Sequence, residues 1–210
     1  MIKNIVFDIG NVIFNFDVND ALKKYTPNEE DQKFLMDNVI NSPEWHGLAL
    51  IDTGYISIDE AISLVEDRTN HEKDDIVEGF WHTYNKYGYI DQNVLRLIKY
   101  LKEKGYKIYL LSNMNSYTNE KLKEAGLYSL VDGYVLSFEV HQVKPFIAIY
   151  NTLINKYNID PRNSLFIDNY KDNVDTALNM GFIGKLVNND DYNSVVDKLK
   201  EEINIDDYEV

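Results

Sequence analysis

Four short segments of this chain carry side chains that could do chemistry together. Asp8 closes the apolar run Ile5-Val6-Phe7, and Gly10 breaks the run two residues on. Ser112 and Asn113 close a second apolar run, Lys144 precedes Pro145, and Asp168 and Asn169 close a third run with Asp172 one helical turn beyond. Brought to one place, Asp8, Asp168 and Asp172 repel one another unless a cation sits among them. Carboxylate oxygens without histidine or cysteine nearby suit Mg²⁺. Lys144 adds a second positive charge, and the hydroxyl and N–H groups around Ser112 can donate to an anion. A nucleophilic carboxylate (Asp8), a lysine, a hydroxyl and a magnesium ion together fit phosphoryl transfer through an aspartyl-phosphate. Simpler roles stay open for each: Asp8 as a plain strand-end cap, Lys144 as a solvated surface lysine, Ser112 as a helix cap, and Asp172 as a partner of a helix dipole.

These residues converge only if the elements behind them do. Short apolar runs bounded by breakers read as buried parallel strands. Strands are expected over Lys3 to Asp8, Lys107 to Ser112, Tyr134 to Ser137, Ser164 to Asp168 and Phe182 to Val187. Helices are expected between them: Asn93 to Lys104, Thr118 to Ala125, Pro145 to Tyr157, Asp172 to Met180 and Asp191 to Glu202. Alternating strand and helix predicts an α/β fold, a Rossmann-like parallel sheet covered on both faces, with ligands beyond the strands' carboxyl ends. From Asp17 to Tyr87 only helix signals occur. Thr26-Pro27-Asn28-Glu29 and Ser57-Ile58-Asp59-Glu60 read as capping boxes, Ser42-Pro43 as another helix start, and Lys73 to Tyr87 as one helix. An all-helical insertion over 17–87 is therefore expected as a cap on a core formed by 1–16 and 88–210.

Composition narrows the function. Acidic residues outnumber basic ones by 35 to 21, a formal charge of −14. That argues against nucleic-acid backbones and anionic membrane surfaces as partners, and leaves a small phosphorylated metabolite held locally by N–H groups, a lysine and a metal. The absence of cysteine removes disulfides, thiolate catalysis and cysteine-ligated zinc. No signal-peptide core or bilayer-length apolar run is present, so the expectation is a cytoplasmic protein, monomeric or dimeric.

The motifs resemble those of the haloacid dehalogenase superfamily of hydrolases, with a helical cap of the kind inserted after the first strand. Phe7-Asp8-Ile9-Gly10-Asn11-Val12 is similar to the first motif, which carries the nucleophile. Leu111-Ser112-Asn113 is similar to the second, which holds the phosphoryl group, and Lys144-Pro145 to the third, whose lysine steadies nucleophile and phosphate. Phe166-Ile167-Asp168-Asn169 with Asp172-Asn173 is similar to the fourth, which holds Mg²⁺. The form of the first two motifs, and the turn Asp52-Thr53-Gly54-Tyr55-Ile56-Ser57, resemble the subgroup of bacterial α-D-glucose-1-phosphate phosphatases and epoxide-hydrolase phosphatase domains. The resemblance implies a Mg²⁺-dependent phosphatase for a small metabolite, sugar phosphates such as glucose 1-phosphate included. It also implies Asp8, Gly10 (through its carbonyl), Asp168 and Asp172 as metal ligands.

The chain departs from the family pattern in three places. Asn169 stands where a second Asp is common, its carbonyl still able to hold a metal-bound water. Phe146 follows Lys144-Pro145 where an acidic residue is common. The third departure matters most. Family phosphatases carry a second Asp two positions after the nucleophile, as the acid/base; here Gly10 stands there. Loss of such a group costs about 10²–10⁴ in rate. Glu44, His46, Asp52 and His82 of the insertion are candidate replacements. The alternatives are a 2-haloacid dehalogenase-like hydrolase, which also lacks the second Asp but needs no magnesium, and a catalytically weak domain that binds a phosphorylated ligand or a protein. Trp45, Tyr55, Trp81 and Tyr84 are candidates for a sugar pocket or for the insertion's own core. His71 and His141 read as surface histidines.

Overall fold

The computed structural model describes residues 1–42 and 50–208. Five strands form the main sheet: β1 (Asn4–Phe7), β2 (Lys107–Ser112), β3 (Gly133–Leu136), β4 (Ser164–Asp168) and β5 (Ile183–Leu186). All neighbours run parallel, in the order β3-β2-β1-β4-β5. From the central β1 the chain moves out to β3 on one side, then crosses back to β4 on the other. The reversal lies between β1 and β4, where an open parallel sheet leaves a crevice at its carboxyl edge. Register brings the two strand ends level: Phe7 pairs with Ile167, and the Asp8 N–H donates to the Ile167 carbonyl at 2.8 Å.

Strand alternation divides the core. Ile5, Phe7, Ile108, Leu110, Leu165 and Ile167 pack in one buried cluster, while Val6, Tyr109, Leu111 and Phe166 pack in another. Helices α1 (Val18–Tyr25), α2 (Glu29–Leu35), α3 (Leu50–Thr53), α4 (Ile58–Arg68) and α5 (Asp74–Trp81) lie between β1 and β2 in the chain. They share a third cluster that includes Leu22, Leu35, Ile51, Val65, Phe80 and Trp81. The chain enters and leaves this segment side by side, Phe14–Asn15 pairing antiparallel with Tyr89–Ile90. After it come α6 (Gln92–Glu103), α7 (Ser116–Glu124), α8 (Ser137–Val140), α9 (Ile147–Tyr157), α10 (Lys171–Asn179) and α11 (Tyr192–Lys200). Among the described residues no helix is long and apolar enough to cross a membrane.

Local chemistry moves several boundaries. The Ser57–Glu60 capping box forms as expected. The box expected at Thr26 does not: Thr26 caps the end of α1, and Asn28 caps α2 by accepting from the Glu30 and Asp31 N–H groups. The helix expected from Lys73 to Tyr87 stops at Trp81, because the Thr83 hydroxyl donates back to the Gly79 carbonyl at 2.6 Å and competes with the helix ladder. A 3₁₀ turn follows over Tyr84–Tyr87. Pro145 lies outside α9, whose first residue is Ile147. The helix expected after Ser42-Pro43 falls on residues outside those described.

Candidate active site

The switch-point crevice gathers the charged groups. Lys144, in the loop before α9, is buried, and its Nζ lies 2.7 Å from Asp8 Oδ1 and 2.7 Å from Asp168 Oδ2. Two carboxylates at the ends of adjacent parallel strands repel each other; the ammonium between them answers both. Asn113 places it: the Asn113 side chain donates to the Lys144 carbonyl at 2.9 Å and accepts from the Lys144 N–H at 2.8 Å. The end of β2 thus fixes the lysine loop through one side chain.

Asp168 is fully buried and its oxygens are committed. Oδ1 accepts from the Tyr170 N–H at 2.8 Å, Oδ2 from Lys144, and Asn173 Nδ2 lies 3.1 Å from both. Asn173, on the first turn of α10, is in turn held by Tyr150, whose hydroxyl donates to the Asn173 carbonyl. Burial, opposed by Lys144 and reinforced by Asp168, pushes Asp8 up to about 6. Burial also works against the charge on Lys144, but Asp168 and Asp8 outweigh it and hold the ammonium above its usual range.

Asp172 is solvent-exposed in the first turn of α10, and among the described residues no group of three His, Cys, Asp or Glu side chains is placed to hold a metal. Asp8, Asp168 and Asp172 therefore do not assemble into a carboxylate triad: Asp168 faces Lys144, and Asp172 sits where it complements the helix dipole. Asn169 comes to Asp8 instead. Its Nδ2 donates to Asn189 Oδ1 at 2.7 Å, which turns the amide oxygen to 3.2 Å from Asp8 Oδ2 and 3.3 Å from the Gly10 carbonyl. With the amide turned over, the same position donates to both. Carboxylate, backbone carbonyl and amide oxygens are the hard donors that Mg²⁺ accepts. Adjacent ligands around octahedral Mg²⁺ lie about 2.9 Å apart, close to this spacing. The donor set of Asp8, the Gly10 carbonyl and Asn169 thus fits Mg²⁺.

Beside these groups lies a cleft of about 200 Å³, lined by Gly10, Asn11, Phe14, Phe16, Asp52, Tyr84, Ser112, Asn113, Met114 and Asn115 among others. Ser112 is buried, with its hydroxyl 3.3 Å from the Asn113 carbonyl; the cap of α7 is Asn115, so Ser112 is not spent on that helix. Of the candidate acid/base residues, Asp52 lines the cleft. His82 sits instead beside Tyr117, Asp59 and Glu78, and Glu44 and His46 lie outside the described residues. Trp81 and Tyr84 are buried in the insertion's cluster, Tyr84 also reaching the cleft, while Tyr55 is exposed and Trp45 lies outside the described residues. Asn169 and Asn173 belong to the fourth motif read from the sequence, but neither the hydrogen bonds of Asn173 to Asp168 nor the approach of Asn169 to Asp8 leaves a local signal there.

Comparison with known proteins identifies the family. A model of haloacid dehalogenase-like hydrolases matches residues 2–181. The D-ribitol-5-phosphate phosphatase of Bacteroides thetaiotaomicron is 26% identical over 195 residues, covering 87% of this chain and 90% of its own. A sesquiterpene phosphatase of Aspergillus oryzae is 24% identical over 187 residues, covering 87% and 88%. Among solved structures, a family enzyme of Bacteroides thetaiotaomicron in complex with magnesium and inorganic phosphate superposes with a TM-score of 0.74 at 22% identity, covering 93% of this chain and 99% of that one. With its family model spanning most of the sequence, this chain belongs to the haloacid dehalogenase-like hydrolases.

Proposed function

We propose that the protein is a Mg²⁺-dependent phosphatase acting on a small phosphorylated metabolite through an aspartyl-phosphate on Asp8. The observation that carries this is Lys144 set between Asp8 and Asp168, with the Gly10 carbonyl and Asn169 facing the other Asp8 oxygen. Lys144 holds Oδ1, so the carboxylate is fixed in rotation before a substrate arrives. Asp8 attacks phosphorus, the ester oxygen departs, and water then releases phosphate from Asp8. Ser112, Asn113 and Lys144 bind the phosphoryl oxygens, and Asp168 keeps Lys144 charged and in place. Asp8, Gly10 and Asn169 would hold Mg²⁺, which when bound neutralises charge on the transferring group.

In this proposal residues 1–16 and 88–210 are the catalytic core, and 17–87 the cap that selects the substrate. The phosphatase names of both relatives support a phosphomonoester. The cleft's size suits a sugar or polyol phosphate. The test is phosphate release from glucose 1-phosphate, ribitol 5-phosphate and a prenyl phosphate, with and without Mg²⁺. Turnover is expected only with the metal, and Asp8→Asn is expected to abolish it on every ester. Wild-type turnover in Asp8→Asn rules out the aspartyl-phosphate.

A further inference from the structure

Gly10 leaves the loop after β1 without a carboxyl to give a proton, and the helical insertion supplies a carboxylate to the same cleft. Asp52, in α3, is the only carboxylate among the described residues that line it. Its Oδ1 accepts from Asn115 Nδ2 at 3.3 Å. Asn115 cannot turn its amide away, because its oxygen already accepts from the Thr118 N–H at 3.1 Å and the Tyr84 hydroxyl at 2.9 Å. Asn115 lies three residues beyond Ser112 on the loop that ends β2, so Asp52 is tied to the segment expected to bind phosphate. Among the described residues Asp52 Oδ2 has no hydrogen-bond partner.

The turn that follows Asp52 is docked on the core. Gly54 has a left-handed backbone (φ +69°), and a Cβ there would collide with the Phe138 carbonyl of α8. His141 Nδ1 lies 2.9 Å from the Thr53 carbonyl, and its ring stacks on Tyr55 at 5.0 Å. A residue on an inserted segment is thereby held against α8 and the loop that follows β2.

We propose that Asp52 is the general acid and base of the reaction, replacing from the insertion the carboxylate that Gly10 lacks. This rests on the phosphatase reading above. In the first step the Asp8–phosphorus bond forms and the phosphorus–ester oxygen bond breaks, while the Asp52 carboxyl gives its proton to that oxygen, releasing an alcohol. In the second, Asp52 as carboxylate takes a proton from water. The water oxygen bonds to phosphorus, the Asp8–phosphorus bond breaks, and phosphate leaves with Asp52 again protonated. Burial, opposed only by the Asn115 hydrogen bond, pushes Asp52 up to about 7, where both protonation states are accessible near neutrality. Tyr84, raised by burial, stays protonated and cannot serve as the base.

The test compares the alkyl phosphate that the wild-type protein turns over fastest with p-nitrophenyl phosphate, whose leaving group needs no proton. In Asp52→Asn, kcat/KM for the alkyl ester is expected to fall about 10²–10⁴-fold. For the nitrophenyl ester it stays within about tenfold, and one p-nitrophenolate per enzyme is released in a burst as phosphorylated Asp8 accumulates. A Cβ at Gly10 meets nothing within 4 Å, so adding Gly10→Asp to Asp52→Asn is expected to restore alkyl-ester turnover. An unchanged alkyl rate in Asp52→Asn, or an equal loss of kcat/KM on both esters, overturns the proposal. Should that variant not fold, the wild-type protein decides. Comparable kcat/KM on both esters is expected, and hydrolysis of the nitrophenyl ester alone overturns Asp52 as acid. Failure on both esters, or full activity in Asp8→Asn, counts against the phosphatase reading instead.

Discussion

Lys144 Nζ stands 2.7 Å from Asp8 Oδ1, and the same nitrogen stands 2.7 Å from Asp168 Oδ2 on the neighbouring strand. Removing it leaves two buried carboxylates facing each other. Lys144→Met is expected to lower phosphate release by roughly 10²–10³-fold and to cost about 3–5 kcal/mol of stability. Urea denaturation beside a phosphate assay checks both. A variant of wild-type stability would mean the two carboxylates are not held apart by this ammonium.

Metal binding is expected to follow Asn169 rather than Asp172. Asn169→Ala removes an oxygen facing Asp8 and Gly10, and should raise the Mg²⁺ concentration for half-maximal activity by roughly 10–100-fold. Asn169→Asp adds a charged oxygen at the same place and should lower it. Asp172→Ala, at an exposed position, should leave it unchanged. A Mg²⁺ titration of activity separates the three, and an Asp172→Ala protein with the larger defect would return Asp172 to the metal.

The sheet was legible because buried parallel strands are continuous apolar runs. Lys107–Ser112 and Ser164–Asp168 match the expected bounds, and Asp8 and Asp168, at two strand ends, meet Lys144 from the loop before α9. The division of labour in the fourth motif was not. Asp168 and Asn169 are adjacent in sequence, and only the strand's pleat decides that the first faces Lys144 and the second faces Asp8. Asp172, expected as a ligand beside them, stands exposed on the first turn of α10. The contact of Asp52 with Asn115 spans 63 positions and leaves no local pattern. Thr83 and Asn28 show how a single side chain, by choosing its backbone partner, moves a helix end that periodicity places elsewhere.

Gly54 holds the Asp52 turn against α8. Gly54→Ala places a Cβ against the Phe138 carbonyl in a backbone conformation unfavourable for L-residues. The turn must withdraw, at a cost of roughly 1–3 kcal/mol. Alkyl-phosphate turnover is expected to fall more than p-nitrophenyl phosphate turnover, because Asp52 moves while Asp8 and Lys144 stay. A steady-state comparison of the two esters reads this, and equal losses would place the effect on the whole site.

Asp52 also sets a pH dependence of stability. Its folded value of about 7 stands above the ordinary 3.8, so the folded chain keeps a proton that the unfolded chain has lost over the range between them. The stabilisation is full below the ordinary value and is lost as pH rises through the folded one. Asp52→Asn removes the titration. Relative to wild type, its stability should therefore rise from pH 4 to pH 8, by on the order of 1 kcal/mol once the partial exposure of the carboxylate is allowed for. Urea denaturation of both proteins at the two pH values measures this. A difference that does not change with pH would mean that Asp52 ionises in the folded protein as it does in the unfolded chain.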